Sequence, residues 1–540
     1  MDILLIQPPI HDFYLTQKRT IPYGLACIRA CLVSEGFKTD IFDALATHKS
    51  KPIPWPDEMM YLHEYYGRKD LSPFALFHQF RHFGYSFQHI GKIVKESGAF
   101  LVGISSLFTA YSEQALQTAK TIKAWCPEVV IVMGGHHPTH FPHQVLENVA
   151  VDFVIRGEGE YSLPALAKAL KNKTSVENIP GIAFKHNETD FFISAPTILN
   201  DLDIIPLPDN DCMHNKFYRR KDQTSLVVVA SRGCPMKCSY CAMGNSQWTY
   251  RKKSVPRIIE EISKGIHHVE SSFIDFEDEN ISLNKEWFMT LLAQMHRHFQ
   301  SKHLTLRAMN GLYPSSLDTE MLYAMKQAGF NALNLSVGTL CGQQLKHFHR
   351  PDVSKDLPDI LKTAQRLNLP TTAYVIAGGL HQNPYDSVDD IVKLFQMGTV
   401  VGLSVFYPAP GSQDYQTLKK NLILPDKTSL MRGSVIPISH TTSRIQCITL
   451  LRLTRIVNYI YFLISNKQSI PLPNAINTHK LQPDINREQL GKYLLSCFFY
   501  DKIIRGVDSE GYIYEHQVDT ALVKYFFNRL NINKKPFNFV

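Results

Sequence analysis

Short apolar runs alternate with longer amphipathic stretches over the first third of the chain. Ile3 to Ile6, Thr39 to Phe42, Leu101 to Ile104, Val129 to Met133 and Phe153 to Ile155 read as buried strands, with helices over Gly24 to Glu35 and Ser112 to Trp125. Strand and helix in this order predict an α/β domain with a parallel, doubly wound, Rossmann-like sheet over residues 1–200. Such a sheet takes its ligand beyond the carboxyl ends of its strands. Those ends carry Pro8-Pro9, Ser105-Ser106-Leu107, Gly134-Gly135 and Gly157-Glu158-Gly159-Glu160. Glycine there leaves bare backbone for a bulky ligand to lie against, although an ordinary turn explains any one of them singly. Residues 47–100 interrupt the alternation with Trp55, Tyr61, His63, Phe74, Phe77, His82, Tyr85 and other rings. This reads as an aromatic helical insertion, either a lid beside the ligand edge or an insert packed on its own small core.

An aperiodic, proline-bearing linker spans 201–224, and the alternation then resumes. Leu226 to Ala230, Ser272 to Phe276, Leu304 to Ala308, Ala332 to Val337, Thr371 to Ile376 and Val400 to Tyr407 are six strands separated by helical stretches. They predict a partial (β/α)6 barrel of the TIM type over 225–415, with its active face at the strand ends. Residues 416–540 read as a mostly helical region, a structural cap or a wall of the substrate pocket. Its most apolar stretch, Ile445 to Ser465, is broken by Arg452, Arg455 and Asn458, which suits an amphipathic helix rather than a membrane span.

A length of 540 residues with 44% hydrophobic content supports several globular domains. The net charge of +8 is modest, and without a polybasic run it gives no reason to expect a nucleic-acid partner. The ten cysteines follow no secreted-framework spacing, and the N-terminus reads as a first strand rather than a signal peptide, so a reducing, cytoplasmic setting is expected.

Three of those cysteines change the picture. Cys234, Cys238 and Cys241 lie in a glycine-started loop directly after the first barrel strand, in Cys234-Pro235-Met236-Lys237-Cys238-Ser239-Tyr240-Cys241. One turn can aim all three sulfurs at one inorganic centre and then supplies no fourth ligand, unlike paired CxxC zinc units or four-cysteine ferredoxin runs. A structural zinc loop, or three unrelated thiols, is the alternative. CxxxCxxC with an aromatic before the last cysteine resembles the signature of the radical S-adenosylmethionine (SAM) superfamily. That resemblance implies a 4Fe-4S cluster on Cys234, Cys238 and Cys241 whose open iron binds SAM. It also implies SAM contacts at Tyr240, Asp278, Glu279, Arg307, Ser336, Arg350 and Gly378, which stand in or beside the cysteine loop and near the ends of strands two to five.

Ser105-x-Leu107, with Gly134-Gly135 following 26 residues later, resembles the SxL and GG elements of cobalamin-binding domains, and residues 1 to 200 are similar to the N-terminal domain of cobalamin-dependent radical SAM enzymes. By that resemblance Pro9, Ser105, Leu107, Gly134, Gly135, His137, Gly157 and Glu158 would bind cobalamin. One departure is plain: the DxHxxG loop that gives ordinary corrinoid proteins a histidine on cobalt is absent, and Gln7-Pro8-Pro9-Ile10-His11-Asp12 stands in its place. The resemblance implies an enzyme that cleaves SAM reductively to a 5′-deoxyadenosyl radical and transfers a methyl group through cobalamin to an unactivated carbon of a small-molecule, lipid or natural-product substrate. A reductase or flavodoxin-type protein would supply the electron. Radical rearrangement or cyclisation without methylation, and a non-catalytic cobalamin or iron-sulfur sensor, are the alternatives.

Overall fold

The structure is a computed structural model that describes residues 1–14, 21–208, 216–220, 222–244, 248–267, 271–481 and 485–530. The expected linker at 201–224 therefore lies partly outside the described residues. In chain order the first strands are β1 (Ile3–Gln7), β2 (Ile10–Asp12), β3 (Thr39–Asp43), β4 (Ser50–Pro52) and β5 (Arg81–Phe83). They are followed by β6 (Leu101–Ser105), β7 (Val130–Gly134), β8 (Phe153–Ile155), β9 (Ile182–Lys185) and β10 (Phe191–Ile193). Seven of these form one sheet in the order β10-β9-β8-β7-β6-β1-β3, parallel from β8 through β3. The helices Tyr23–Ser34 and Gly159–Asn172 cover one face, and Phe87–Ser97 and Ser112–Trp125 the other, each over its own apolar core. The expected doubly wound sheet is present, and the antiparallel edge pair β9 and β10 extends it.

The insertion differs from its sequence reading. Helix Phe87–Ser97 is the crossover into β6, and the rest contributes β4 and β5, which pair with β2 in a small antiparallel sheet. Its aromatics do not close on a core of their own. Phe13, Met59, Leu62, Tyr66 and Phe80 pack with Val405 from the barrel and with Val435, Ile436 and Ile448 beyond it. Residues 68–72 are tied to the C-terminal region by Arg68 on Asp508, a buried Asp70–His516 pair at 3.0 Å, and the Leu71 N–H on the Val507 carbonyl. The segment is a strap between the two ends of the chain.

The barrel follows as β11 (Thr224–Val228), a short hairpin of β12 (Ser231–Arg232) and β13 (Arg251–Lys252), then β14 (Ser271–Phe276), β15 (His303–Ala308), β16 (Leu333–Gly338), β17 (Thr371–Ala377) and β18 (Val400–Val405). β11-β14-β15 and β16-β17-β18 are two parallel sheets, joined between β15 and β16 by the bridges Leu306–Phe330 and Leu312–Leu335. Alternation sets the two faces: Leu226, Ile274, Leu306, Leu335 and Val375 point out to the helices, leaving their polar neighbours to point in. Ser254, Asn284, Asp318, Asn383 and Ser412 each cap a barrel-region helix by accepting a backbone N–H, worth about 1 kcal/mol apiece. Helix Arg444–Ser465 starts on a Ser443 capping box and is long and apolar enough to cross a membrane, yet most of it is buried against the barrel. It packs with helices Pro384–Gln396 and Thr520–Leu530.

Candidate functional site

The cysteine loop hangs from the β12–β13 hairpin, whose strands pair Ser231 with Lys252 and Arg232 with Arg251 and so bracket residues 233–250. Asp278, just past the end of β14, anchors the hairpin by accepting from the N–H groups of Ala230 and Ser231 and from the Ser231 hydroxyl. Gly233 has φ +81°, and a Cβ there would meet the Thr249 carbonyl oxygen at 2.3 Å, so only glycine starts this loop. On the far side the Ser239 N–H donates to the Phe348 carbonyl at 3.0 Å, and the Ser239 carbonyl accepts from the Asp414 N–H at 2.9 Å.

Cys238 is buried, while Cys234 and Cys241 are partly open. Burial pushes the Cys234 thiol up to about 11 and raises Cys241, and the neighbouring sulfurs add to both shifts, so the three lie within electrostatic reach of one another. Such thiols stay protonated until a metal displaces the protons. Among the described residues no set of three or more His, Cys, Asp or Glu side chains closes on a point as a single ion requires. Three sulfurs from one loop without a fourth ligand suit a multi-iron cluster that keeps one iron open better than a four-ligand zinc site.

Arg350 ties this loop to the barrel. Its guanidinium donates to the Tyr240 hydroxyl at 3.1 Å, the Ser336 hydroxyl at 3.1 Å, the Val337 carbonyl at 3.0 Å and, at 3.7 Å, the Cys238 sulfur. Gly338 lies against it at φ +83°, where a Cβ would come within 2.9 Å of the Arg350 side chain. Tyr240, Ser336 and Arg350 are thus gathered as the sequence suggested. Arg350→Lys keeps the charge but cannot span four acceptors. We expect cluster content to be retained and the rate of SAM cleavage to fall by about 10- to 100-fold, measured as 5′-deoxyadenosine formed under strong reductant.

The other expected SAM contacts are dispersed. Glu279 lines the cavity described next. Asp278 is 3% exposed and engaged with the hairpin, which makes it a support for the cysteine loop. Arg307 on β15 pairs with Asp275 on the neighbouring strand inside the barrel. Gly378 ends β17 at φ +77° with its missing Cβ 2.9 Å from the Cys447 sulfur. Glu277, which sequence reading passed over, also lines the cavity, and burial together with Asp275 raises its carboxyl to about 7.

One cavity of about 360 Å³ runs from the strand ends of the N-terminal sheet to the barrel. Ser105, Leu107, Gly134, Gly135, Gly157 and Glu158 line it from one side, and Val229, Gly233, Met243, Trp248 and Glu279 from the other. Pro9 lines a smaller cavity of about 70 Å³ that shares Ser105 and Leu107 with the first. His137 stands behind the wall, 1% exposed, with its N–H on the Ser106 carbonyl and neither ring nitrogen partnered. Glu158 faces the void, but its carboxylate is taken by Arg251 at 2.8 and 3.0 Å and by Arg232 at 3.3 Å. Burial alone would raise its pKa, and the arginines with the Leu199 N–H hold it below the usual range.

The void is shaped by absent side chains. At Gly134 an added Cβ would have no neighbour nearer than 3.8 Å, and at Gly24 none within 4 Å, although both line the cavity. At Gly103, inside β6, a Cβ would strike Leu5 at 2.7 Å. Bare backbone at the strand ends and a largely apolar lining suit the close approach of part of a bulky ligand, such as the nucleotide tail of a corrinoid. Gly24 stands in Pro22-Tyr23-Gly24-Leu25, a stretch that also resembles the cobalamin-domain pattern, whereas Gly103, Arg232, Arg251 and Trp248 were missed as site residues; a glycine inside a strand was the available signal for Gly103. His11, in the loop where the DxHxxG histidine element would stand, bonds His82 at 2.9 Å and packs beside Phe80.

Residues 78–167 match the B12 binding domain, and residues 228–395 match the Radical SAM superfamily. An uncharacterized methyltransferase of Pyrococcus horikoshii is 26% identical over 438 residues, covering 78% of this chain and 84% of that protein. The cytidylyl-2-hydroxyethylphosphonate methyltransferase of Streptomyces wedmorensis is 23% identical over 440 residues, 74% of this chain and 78% of its own. An anaerobic magnesium-protoporphyrin IX monomethyl ester cyclase of Cereibacter sphaeroides is 26% identical over 315 residues, 56% of this chain and 51% of its own. Among solved structures, the radical SAM methyltransferase TsrM of Kitasatospora setae, with cobalamin and a 4Fe-4S cluster bound, shares the fold at a TM-score of 0.57 and 16% identity, over 78% of this chain and 75% of that one. This chain therefore carries a B12-binding domain followed by a radical SAM domain, with one cavity lined by both.

Proposed function

We propose that the protein transfers a methyl group to an unactivated carbon of a small-molecule substrate held in the barrel mouth. The observation that carries this reading is the single cavity that places the glycine-walled recess and the approach to the cysteine loop in one space. When bound, the cluster with SAM supplies a carbon radical able to take hydrogen from the substrate, and cobalamin supplies the methyl group.

The chain's own residues position and shield. Cys234, Cys238 and Cys241 would hold the cluster, and Arg350 with Tyr240 and Ser336 fixes the loop against β16. Glu279 at the cavity wall would hold the SAM ammonium, a role that suits a carboxylate. Gly24 and Gly134 leave bare backbone and free space at the wall of the recess. The electron comes from a reductase or flavodoxin-type donor in a reducing, cytoplasmic setting, which suits the nine described cysteines, all free.

A second reading, radical cyclisation without methylation, is favoured by the similarity to the cyclase. Anaerobic reconstitution with iron, sulfide, cobalamin, reductant and methyl-labelled SAM separates the two. Methyl transfer predicts 5′-deoxyadenosine, S-adenosylhomocysteine and label in a product from cell extract. 5′-Deoxyadenosine with all label left on methionine-derived products would select cyclisation, and no 5′-deoxyadenosine would refute both.

A further inference from the structure

The hairpin that carries the cysteine loop is clamped by the N-terminal domain. Arg232, two residues ahead of Cys234, reaches Glu160 at 2.5 Å and Glu158 at 3.3 Å. Its cross-strand partner Arg251 takes both oxygens of Glu158, at 2.8 and 3.0 Å. All four side chains are at most 16% exposed, and they alternate in sign along one network. A second clamp grips the base of β13: Lys253 bonds Glu261 at 2.5 Å and the Tyr23 hydroxyl at 2.8 Å, and Tyr23 donates to Glu261 at 2.8 Å. Tyr23, Glu158 and Glu160 come from the N-terminal domain, and all three line the cavity. The two stretches that bear them, the entry of helix Tyr23–Ser34 and the turn into helix Gly159–Asn172, flank the glycine-walled recess.

A ligand in the recess therefore touches the segments that fix the hairpin, and the hairpin fixes the cysteines. We propose that Glu158 and Glu160 are positioning residues that couple the two cofactor sites: cobalamin in the recess orders the Glu158–Glu160 turn, the turn holds Arg232 and Arg251, and SAM binds more tightly at the cysteine loop. This rests on the cofactor assignment above and adds to it a free-energy linkage that must be reciprocal. Glu158, expected from sequence to bind cobalamin, acts here through the hairpin instead, since both its oxygens are already engaged by Arg251.

The test is equilibrium binding on cluster-loaded protein. SAM affinity is measured by equilibrium dialysis of labelled SAM against protein with its cluster oxidised, so that SAM is not cleaved, with and without saturating hydroxocobalamin. The wild type is expected to bind SAM at least about 5-fold more tightly with hydroxocobalamin, and hydroxocobalamin to bind more tightly by the same factor with SAM present. Glu160→Gln and Glu158→Gln should lower that factor toward one while each cofactor still binds alone. Arg232→Lys should do the same, because one ammonium cannot hold two carboxylates in fixed geometry. A thermal melt of each variant separates lost coupling from lost fold. A factor of one in the wild type, or an undiminished factor in all three variants, would overturn the proposal. Failure of the wild type to load either cofactor would instead overturn the assignment of the cofactors themselves, and the coupling with it.

Discussion

Cys238→Ala is expected to abolish reductive SAM cleavage, by more than about 10³-fold, while leaving the fold intact. That loss corresponds to more than about 4 kcal/mol of barrier, at 1.36 kcal/mol per factor of ten. The size follows from where the sulfur sits. Cys238 is the most buried of the three thiols, at 5% exposed, and it faces the Arg350 guanidinium. A cluster with two protein ligands on this loop would lose both its anchor and its register to the strand-four residues Ser336 and Gly338. The backbone does not depend on the sulfur: Asp278 holds the loop's start, and the Ser239 bonds to Phe348 and Asp414 hold its middle. The variant should melt within a few degrees of the metal-free wild type. Iron content, the cluster EPR signal and 5′-deoxyadenosine by chromatography provide the check. Cys238→Ser should behave like alanine, since a buried hydroxyl is a poor substitute for a thiolate on iron. Full activity in either variant would remove the loop from the chemistry.

The cysteine loop was legible because its function needs fixed spacing within eight residues. The six barrel strands were legible for a related reason: each is a short apolar run between helices, and β11, β14 and β15 fall within two residues of where periodicity placed them. What lay beyond reach was partnership. Glu160 and Arg232 meet across 72 residues, and no local pattern says that an RGEGE turn will spend its carboxylates on arginines rather than on a ligand. Asp278 and Glu279 illustrate the same limit at shorter range. They are adjacent beyond one strand end, so their side chains diverge; Asp278 turns to the hairpin and Glu279 to the cavity, and the sequence alone made them equivalent. The insertion failed differently. Its density of rings correctly indicated burial, but composition does not say against what, and the rings completed a core with Val405 and Ile448 from far along the chain.

Gly24→Leu is the sharpest test of the recess, because it is expected to damage binding without damaging the protein. Gly24 is the second residue of helix Tyr23–Ser34, at a backbone conformation open to any residue, and its Cβ would meet nothing within 4 Å. Exchanging glycine for leucine inside a helix is favourable by about 0.8–1 kcal/mol, so the melting temperature should hold or rise. The leucine side chain would project into the cavity of about 360 Å³ where Gly134 leaves room for a ligand. Cobalamin affinity should then fall by at least about 100-fold, a difference of roughly 2.7 kcal/mol that a single misplaced side chain in a close-fitting pocket can cause. SAM cleavage at the cysteine loop should persist at a reduced rate, since the loop's own supports, Asp278 and Arg350, are untouched. Gly24→Ala, with a single methyl, should bind nearly as the wild type. Gly135 is the wrong glycine for this purpose: at φ +114° and with a Cβ 2.7 Å from the Ser106 carbonyl oxygen, any substitution would strain the backbone and confuse folding with binding. Absorbance of bound hydroxocobalamin after gel filtration decides the matter. If Gly24→Leu retains the cofactor as well as wild type, the corrinoid lies elsewhere, and the glycine-walled recess must then serve another ligand.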